Sequence, residues 1–297
     1  MDKQKAIQLA QETQEIVAQG QYYMARPRGG VVGTVLIKHP GEQVSSLIHP
    51  DDWDDIIEVA KSKPRLHDGL PITLVQPTTT LQAIKMVGDF AEFDPTPGNG
   101  VMALNFASAT TPGGGWLRGT TTQEETLARS SDLVAGLEKW PRYYRENKRK
   151  QQEYCVGPYY TEHAIYSHGA TFFRNDLGDL VDPYQADVLT IPAPNLNAVP
   201  TECMGKARAD MFEILDSRIN NILAAAAFYH RHYLVLGAWG CGVFTNNPVQ
   251  VAEFFRSHLH QWGGYFKQVV FAIHDTSQDQ TVMKAFQNTF PLPKVPA

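Results

Sequence analysis

Val101-Met102-Ala103-Leu104-Asn105-Phe106, then Ala107-Ser108-Ala109-Thr110-Thr111-Pro112-Gly113-Gly114-Gly115, then Gln123-Glu124-Glu125 is the run that decides the fold. An apolar strand leads into a glycine loop, and a short spacer joins the loop to two acids that open a helix. The same order recurs along the chain. Ile72 to Val75 reads as a strand and Thr80 to Val87 as a helix; the strand Val101 to Phe106 is followed by a helix from Thr122 to Leu137. Strands are expected at Ala164 to Tyr166, Thr171 to Arg174 and Asp187 to Ile191, before a long helix from Lys206 to Phe228. The last third adds strand Tyr233 to Gly237, helix Pro248 to Gln261, strand Gln268 to Ile273 and helix Asp279 to Asn288. Strand and helix in alternation mean an α/β fold, with a central, largely parallel sheet between helices.

Upstream the pattern is less regular. Lys5 to Ala18 has helical periodicity, Tyr22 to Gly33 turns irregular and glycine-rich, Val31 to Lys38 is strand-like, and Asp51 to Lys61 suits a helix opened by acids. This part reads as an N-terminal accessory segment, residues 1–68, packed on a core domain spanning residues 69–297.

A chain of 297 residues, 43% of them hydrophobic, can build one large core. Its formal net charge of −5 argues against general affinity for duplex DNA, which needs a basic face. The basic run Arg145-Glu146-Asn147-Lys148-Arg149-Lys150 reads as a guide for an anionic polymer, a nuclear address or a solvated face. Cys155, Cys203 and Cys241 have neither C-x-x-C nor Cys/His ligand spacing, so neither a disulfide framework nor a zinc site is expected, and a reducing compartment fits. With no signal-peptide core and no membrane-length apolar stretch, the expected location is cytoplasmic, or nuclear in a eukaryote.

Two loops carry the candidate chemistry. Gly113, Gly114 and Gly115 let backbone N–H groups approach a bulky anion, although glycines serve turns as well. Glu124 and Glu125 are candidate proton-transfer groups; alternatively, Thr122 and Glu125 form a capping box and the acids complement the helix dipole. Asn105 closes an apolar strand and is suited either to a sugar hydroxyl or to loop backbone. The second loop is Ala238-Trp239-Gly240-Cys241-Gly242-Val243-Phe244, running through Asn247, a helix cap, to Pro248. It lacks the Lys-Ser/Thr of a P-loop, yet a glycine-rich turn on a helix N-terminus suits a diphosphate. Phe244 is a candidate to pack on a ribose or base, or an ordinary core aromatic. Cys241 has no evident partner for a nucleophile, and the i, i+2 spacings His230/His232 and His258/His260 do not suit a metal on a helix.

Pro112-Gly113-Gly114-Gly115-Trp116 with Gln123-Glu124-Glu125 resembles the signature of the poly(ADP-ribose) glycohydrolases, in particular their bacterial-type branch. The second loop resembles the diphosphate-binding loop of macrodomains, the ADP-ribose-binding fold. The resemblance covers most of residues 70 to 290 and implies a macrodomain-like fold, with hydrolysis of ribose–ribose O-glycosidic bonds in poly(ADP-ribose) and release of ADP-ribose. Polymer or ADP-ribosylated proteins are then the substrate, and neither metal nor cofactor is implied. Glu125 matches the family's catalytic residue, acid first and base second; Glu124 would hold the leaving ribose and Gln123 would support the loop. His168, where proline is expected in many relatives, and the long stretch Arg142 to Gln152 depart from the family pattern. A macrodomain that binds ADP-ribose without cleaving it, and a hydrolase of another ADP-ribosyl linkage, are the alternatives.

Overall fold

The structure is a computed structural model that describes residues 1–25, 32–37, 42–92 and 100–291. Its centre is the strand β5, Val101–Phe106. Successive side chains of a strand point to opposite faces. Accordingly Met102 and Leu104 enter one apolar core while Val101 and Ala103 enter a second on the other face. Around β5 lie β3 (Val44–Ile48), β4 (Ile72–Gln76), β6 (Ala164–Arg174), β7 (Leu180–Ile191), β8 (Tyr233–Leu236) and β9 (Gln268–Ala272). The seven strands run in the order β3-β6-β7-β5-β8-β9-β4. Pairing is parallel from β7 through β5, β8 and β9 to β4, and antiparallel at β3–β6 and β6–β7. The carboxyl ends of β5, β8, β9 and β4 therefore fall on one edge of the sheet, the place where open α/β sheets bind ligands.

Helices cover both faces. On the Met102 side the core is completed by α2 (Trp53–Ser62), α7 (Met204–Phe228), α8 (Pro248–Trp262) and α9 (Thr281–Thr289). On the other side it takes side chains from α3 (Thr80–Glu92), α4 (Gln123–Ser130), α5 (Leu133–Leu137) and α6 (Pro141–Gln151). Among the described residues no helix is long and apolar enough to cross a membrane.

The N-terminal helix α1 (Lys3–Gln19) is held by polar bonds across the chain. The Thr13 hydroxyl donates to the Arg129 carbonyl at 2.5 Å, and buried Arg174 reaches Glu12 at 3.1 Å and the Thr13 hydroxyl at 3.2 Å. Ala10 packs with Trp116, Ala128 and Val134, so α1 backs the glycine loop. β3 and α2, although within residues 1–68, form an edge of the large sheet and part of its covering layer.

Several sequence expectations are corrected. Gln21–Ala25 is not irregular but a strand, β1, paired antiparallel with β2, Val32–Leu36; the glycine-rich residues 26–31 and the end of the expected strand at Lys38 lie outside the described residues. The single helix expected from Thr122 to Leu137 is broken at Ser131 and Asp132. There the Asp132 carboxylate accepts from the Thr171 amide at 2.8 Å and the Asp132 amide donates to the Thr171 carbonyl at 3.2 Å, drawing the backbone onto β6. The two strands expected at Ala164 to Tyr166 and Thr171 to Arg174 are one strand with a register shift between Ser167 and Ala170. Contrary to the reading of scattered thiols, Cys155 and Cys203 form a disulfide, which ties the chain just after α6 to the start of α7.

Candidate active site

The glycine loop and α4 build one compact unit. Gln123 joins it to the sheet: its Oε1 accepts from the Phe106 amide at 2.8 Å and its Nε2 donates to the Leu104 carbonyl at 2.7 Å. The side-chain amide thus pairs with the end of β5 and fixes where the next two residues point. Glu124 and Glu125 are 2% and 6% exposed, unusual for acids at a helix N-terminus.

Each carboxyl is gripped by the loop it faces. Oε1 of Glu125 accepts from the Gly115 amide at 2.8 Å, and its Oε2 accepts from the Thr122 hydroxyl. Thr122 sits at the N-cap position without capping the backbone, so the expected capping box is absent. Oε2 of Glu124 accepts from the Ser108 amide at 2.6 Å and its Oε1 from Asn105 Nδ2 at 3.2 Å. Asn105 is wholly buried, shares Nδ2 with the Thr190 hydroxyl at 3.2 Å, and leaves Oδ1 without a partner. Burial pushes the Glu124 carboxyl up to about 8, against the Ser108, Asn105 and Gly113 donors, and the Glu125 charge adds to the push.

Gly114 adopts φ +62°, and the two carboxyls converge over it. Only a residue without a side chain leaves that space open.

Beside this unit lies a cleft of about 870 Å³. Its walls include Phe106 at the end of β5, Thr122 and Gln123, the loop Ala238–Phe244 after β8, and the chain from Ala272 at the end of β9 to Ser277. Gly113, Gly114, Gly115, Asn105, Glu124 and Glu125 are not on that wall. The connection runs through Thr122, which lines the cleft and whose hydroxyl donates to Glu125.

The second loop is shaped for backbone recognition. Gly240 has φ +74°, and a Cβ there would meet Asn246 Nδ2 at 2.4 Å; that amide donates to the Pro194 carbonyl at 2.9 Å. Asn247 caps α8 by accepting from the Val249 and Gln250 amides at 2.9 and 3.3 Å. Among the described residues the amides of Gly242, Val243 and Phe244 take no hydrogen bond within the chain. Trp239 is fully buried, its Nε1 donating to the Ile191 carbonyl at 3.3 Å, while Phe244 is half-buried and tilted against Tyr160. Burial pushes the Cys241 thiol well above the ordinary range, which disfavours the thiolate that a nucleophile requires. Among the described residues there is no cluster of His, Cys, Asp or Glu fit to hold a metal ion.

The family profile described as microbial-type PARG, catalytic domain, matches residues 2–175, more than half of the chain. The chain belongs to the microbial-type PARG family. Poly(ADP-ribose) glycohydrolase (PARG) from Thermomonospora curvata is 35% identical, superposes with a TM-score of 0.82, and the match covers 97% of this chain and 100% of that one. The same enzyme bound to the inhibitor ADP-HPD gives 36% identity over the same shares, with a TM-score of 0.81. The Deinococcus radiodurans enzyme in complex with ADP-ribose is 33% identical over 82% of this chain and 93% of that one, with a TM-score of 0.72. No curated protein sequence matches. The α/β macrodomain-like fold expected from the resemblance is the one observed.

Sequence reasoning read Thr122 only as a helix cap paired with Glu125, and missed Ser108 and the segment after β9. The last had a signal, the polar cluster Asp275-Thr276-Ser277: Asp275 accepts from the Val282 and Met283 amides at 3.0 and 3.1 Å and so caps α9 beside the cleft. Ser108 acts through its amide, which no side-chain motif announces.

Proposed function

We propose that this PARG-family chain hydrolyses ribose–ribose O-glycosidic bonds in poly(ADP-ribose) and releases ADP-ribose. The observation that carries the reading is Glu125, clamped between the Gly115 amide and the hydroxyl of Thr122, a residue that lines the cleft. The three consecutive free amides at Gly242, Val243 and Phe244 are suited to the substrate diphosphate, because converging N–H groups make an anion-binding concavity. Phe244, on the cleft wall, packs on the bound ribose. Cleavage passes through an oxocarbenium-like state and needs a proton for the leaving ribose and an activated water. Adjacent helix residues cannot flank the scissile bond from opposite faces, as the carboxyl pair of most glycosidases does. Glu125 therefore serves twice: it protonates the leaving hydroxyl, then, as carboxylate, takes a proton from the water that attacks the anomeric carbon. Thr122 fits that cycle, since a hydroxyl donates to the carboxylate and, rotated, accepts from the acid. Glu124, held beside Glu125 by the Ser108 amide and Asn105, would position the leaving ribose. The substrate's own diphosphate stabilises the developing cation. We take residues 1–68 as an accessory segment packed on a catalytic domain of residues 69–297, and the cytoplasm as the place of action.

The test is ADP-ribose release from polymer by wild type and Glu125→Gln, with ADP-ribose binding followed by calorimetry. The reading expects a loss of about 10³-fold in rate with binding retained. Equal rates would leave a macrodomain that reads ADP-ribose without cleaving it.

A further inference from the structure

The basic run at 145–150 has no part in the reaction as described, yet it lies next to the glycine loop. An open groove of about 690 Å³ is lined by Tyr144, Arg145, Lys148 and Arg149 of α6 together with Thr110 and Pro112. Pro112 immediately precedes Gly113. Two residues of chain span at most about 7 Å, so the groove begins within that distance of the backbone at Gly114. In sequence the glycine triplet stands between Pro112, on the groove, and Thr121, on the cleft.

The groove is positive in a chain that is otherwise acidic. Arg145, Lys148 and Arg149 share one helix face by their i, i+3, i+4 spacing. Glu146 alone serves both arginines, at 3.7 and 3.1 Å, and among the described residues Lys148 has no ion-pair partner. The side chains of Arg145 and Arg149 are 67% and 80% exposed. Glu138 is the acid on the lining. Tyr144, 5% exposed, brings a buried hydroxyl with no hydrogen-bond partner to the same lining. Burial and then the nearby Tyr143, Glu124 and Glu138 charges push that hydroxyl well above its ordinary range.

We infer that the α6 groove binds the part of the polymer that continues beyond the scissile bond, with its first diphosphate against Arg145, Lys148 and Arg149. The inference rests on the proposed hydrolysis. The terminal ADP-ribose unit occupies the cleft at Gly240 to Phe244, the bond to be broken lies at Glu125, and the next unit crosses the glycine strip into the groove. Each unit carries two phosphate charges, met by the free amides of Gly242 to Phe244 on one side of the strip and by the α6 cations on the other. An acidic protein that acts on a polyanion needs such a local site, because its net field repels the substrate.

The experiment compares wild type with the triple reversal R145E/K148E/R149E and with R145K/R149K. Three readings are taken: binding of free ADP-ribose, kcat/KM on long polymer, and binding of uncleaved polymer measured on a Glu125→Gln background. The reversal is expected to lower polymer kcat/KM and polymer affinity about tenfold, the sum of a few rim charge contacts. ADP-ribose affinity stays within twofold, the lysine variant retains most of the polymer affinity, and added salt erases the difference. Polymer affinity unchanged by the reversal overturns the groove. So does an equal loss of ADP-ribose affinity, or single-stranded RNA of matched charge displacing the polymer as well as polymer itself does, since that marks a patch for any polyanion. If wild type releases no ADP-ribose, hydrolysis is the reading that fails, and the Glu125→Gln binding arm still decides the groove.

Discussion

A Cβ placed on Gly114 would stand 2.4 Å from Oε1 of Glu125. The same atom would be 3.0 Å from Oε2 of Glu124, so an alanine here must displace one carboxyl or the loop. The left-handed backbone at φ +62° adds strain of about 1–2 kcal/mol for a residue with a side chain. Gly114→Ala is expected to fold with a melting temperature a few degrees lower and to lose about 10²-fold in ADP-ribose release, the usual cost of an ångström-scale misplacement. Thermal melts and initial rates check both halves. An alanine variant as active as wild type would mean that the carboxyl positions seen here are not those that act.

Glu124 gives the protein a pH-dependent stability. In the folded chain burial holds its proton up to about 8, whereas the unfolded group releases it near 4.5. Between these values the unfolded chain gains by ionising and the folded chain does not, so the contribution is full below 4.5, declines as pH rises to about 8, and is level beyond. Glu124→Gln removes the titration. Urea unfolding across that window should show wild type losing stability with pH by up to about one proton's worth of slope more than the variant. Parallel slopes would show that Glu124 is ionised in the fold.

The central strand, the glycine loop, the acid pair and the second loop are legible in the sequence because each is set by local constraints. β5 is apolar from Val101 to Leu104, and Gly240 stands where any side chain would collide with Asn246. What sequence could not show depends on partners far along the chain. The break after α4 is made by Asp132 reaching Thr171, and the disulfide joins residues 48 apart that only the placement of α6 and α7 brings together. β3 escaped notice because Val44-Ser45-Ser46-Leu47-Ile48 has no strict alternation and serves as an edge. Asn105 was legible as special, but its burial against Glu124 rather than on the cleft wall follows from register: it lies opposite Thr190 on β7.

Thr122 is the positioning residue between the cleft and Glu125. Replacing it by valine keeps its shape and removes the hydroxyl, leaving Oε2 of a buried carboxyl without its donor. Thr122→Val is expected to lower kcat about tenfold, within the range for a lost proton-transfer contact, with KM changed less than twofold. Thr122→Ser should recover most of kcat, and the acidic limb of the pH–rate profile should move in the valine variant alone. A valine variant with full kcat, or a serine variant as slow as valine, would assign Thr122 to loop structure only.

The Cys155–Cys203 bond closes a loop that contains β6 and β7 and anchors the basic helix α6 to α7. Cross-linking across a separation of 48 residues restricts the unfolded chain. Its loss by Cys203→Ser, or by reduction with a thiol, should cost about 2–4 kcal/mol of stability. Cys155 and Cys203 are remote from the glycine loop in sequence and contribute no group to the cleft, so ADP-ribose affinity should not change. Urea unfolding with and without reductant measures the first expectation and calorimetry the second. Identical midpoints in the two conditions would mean that the thiols are unpaired in the folded protein, as they are expected to be in a reducing compartment.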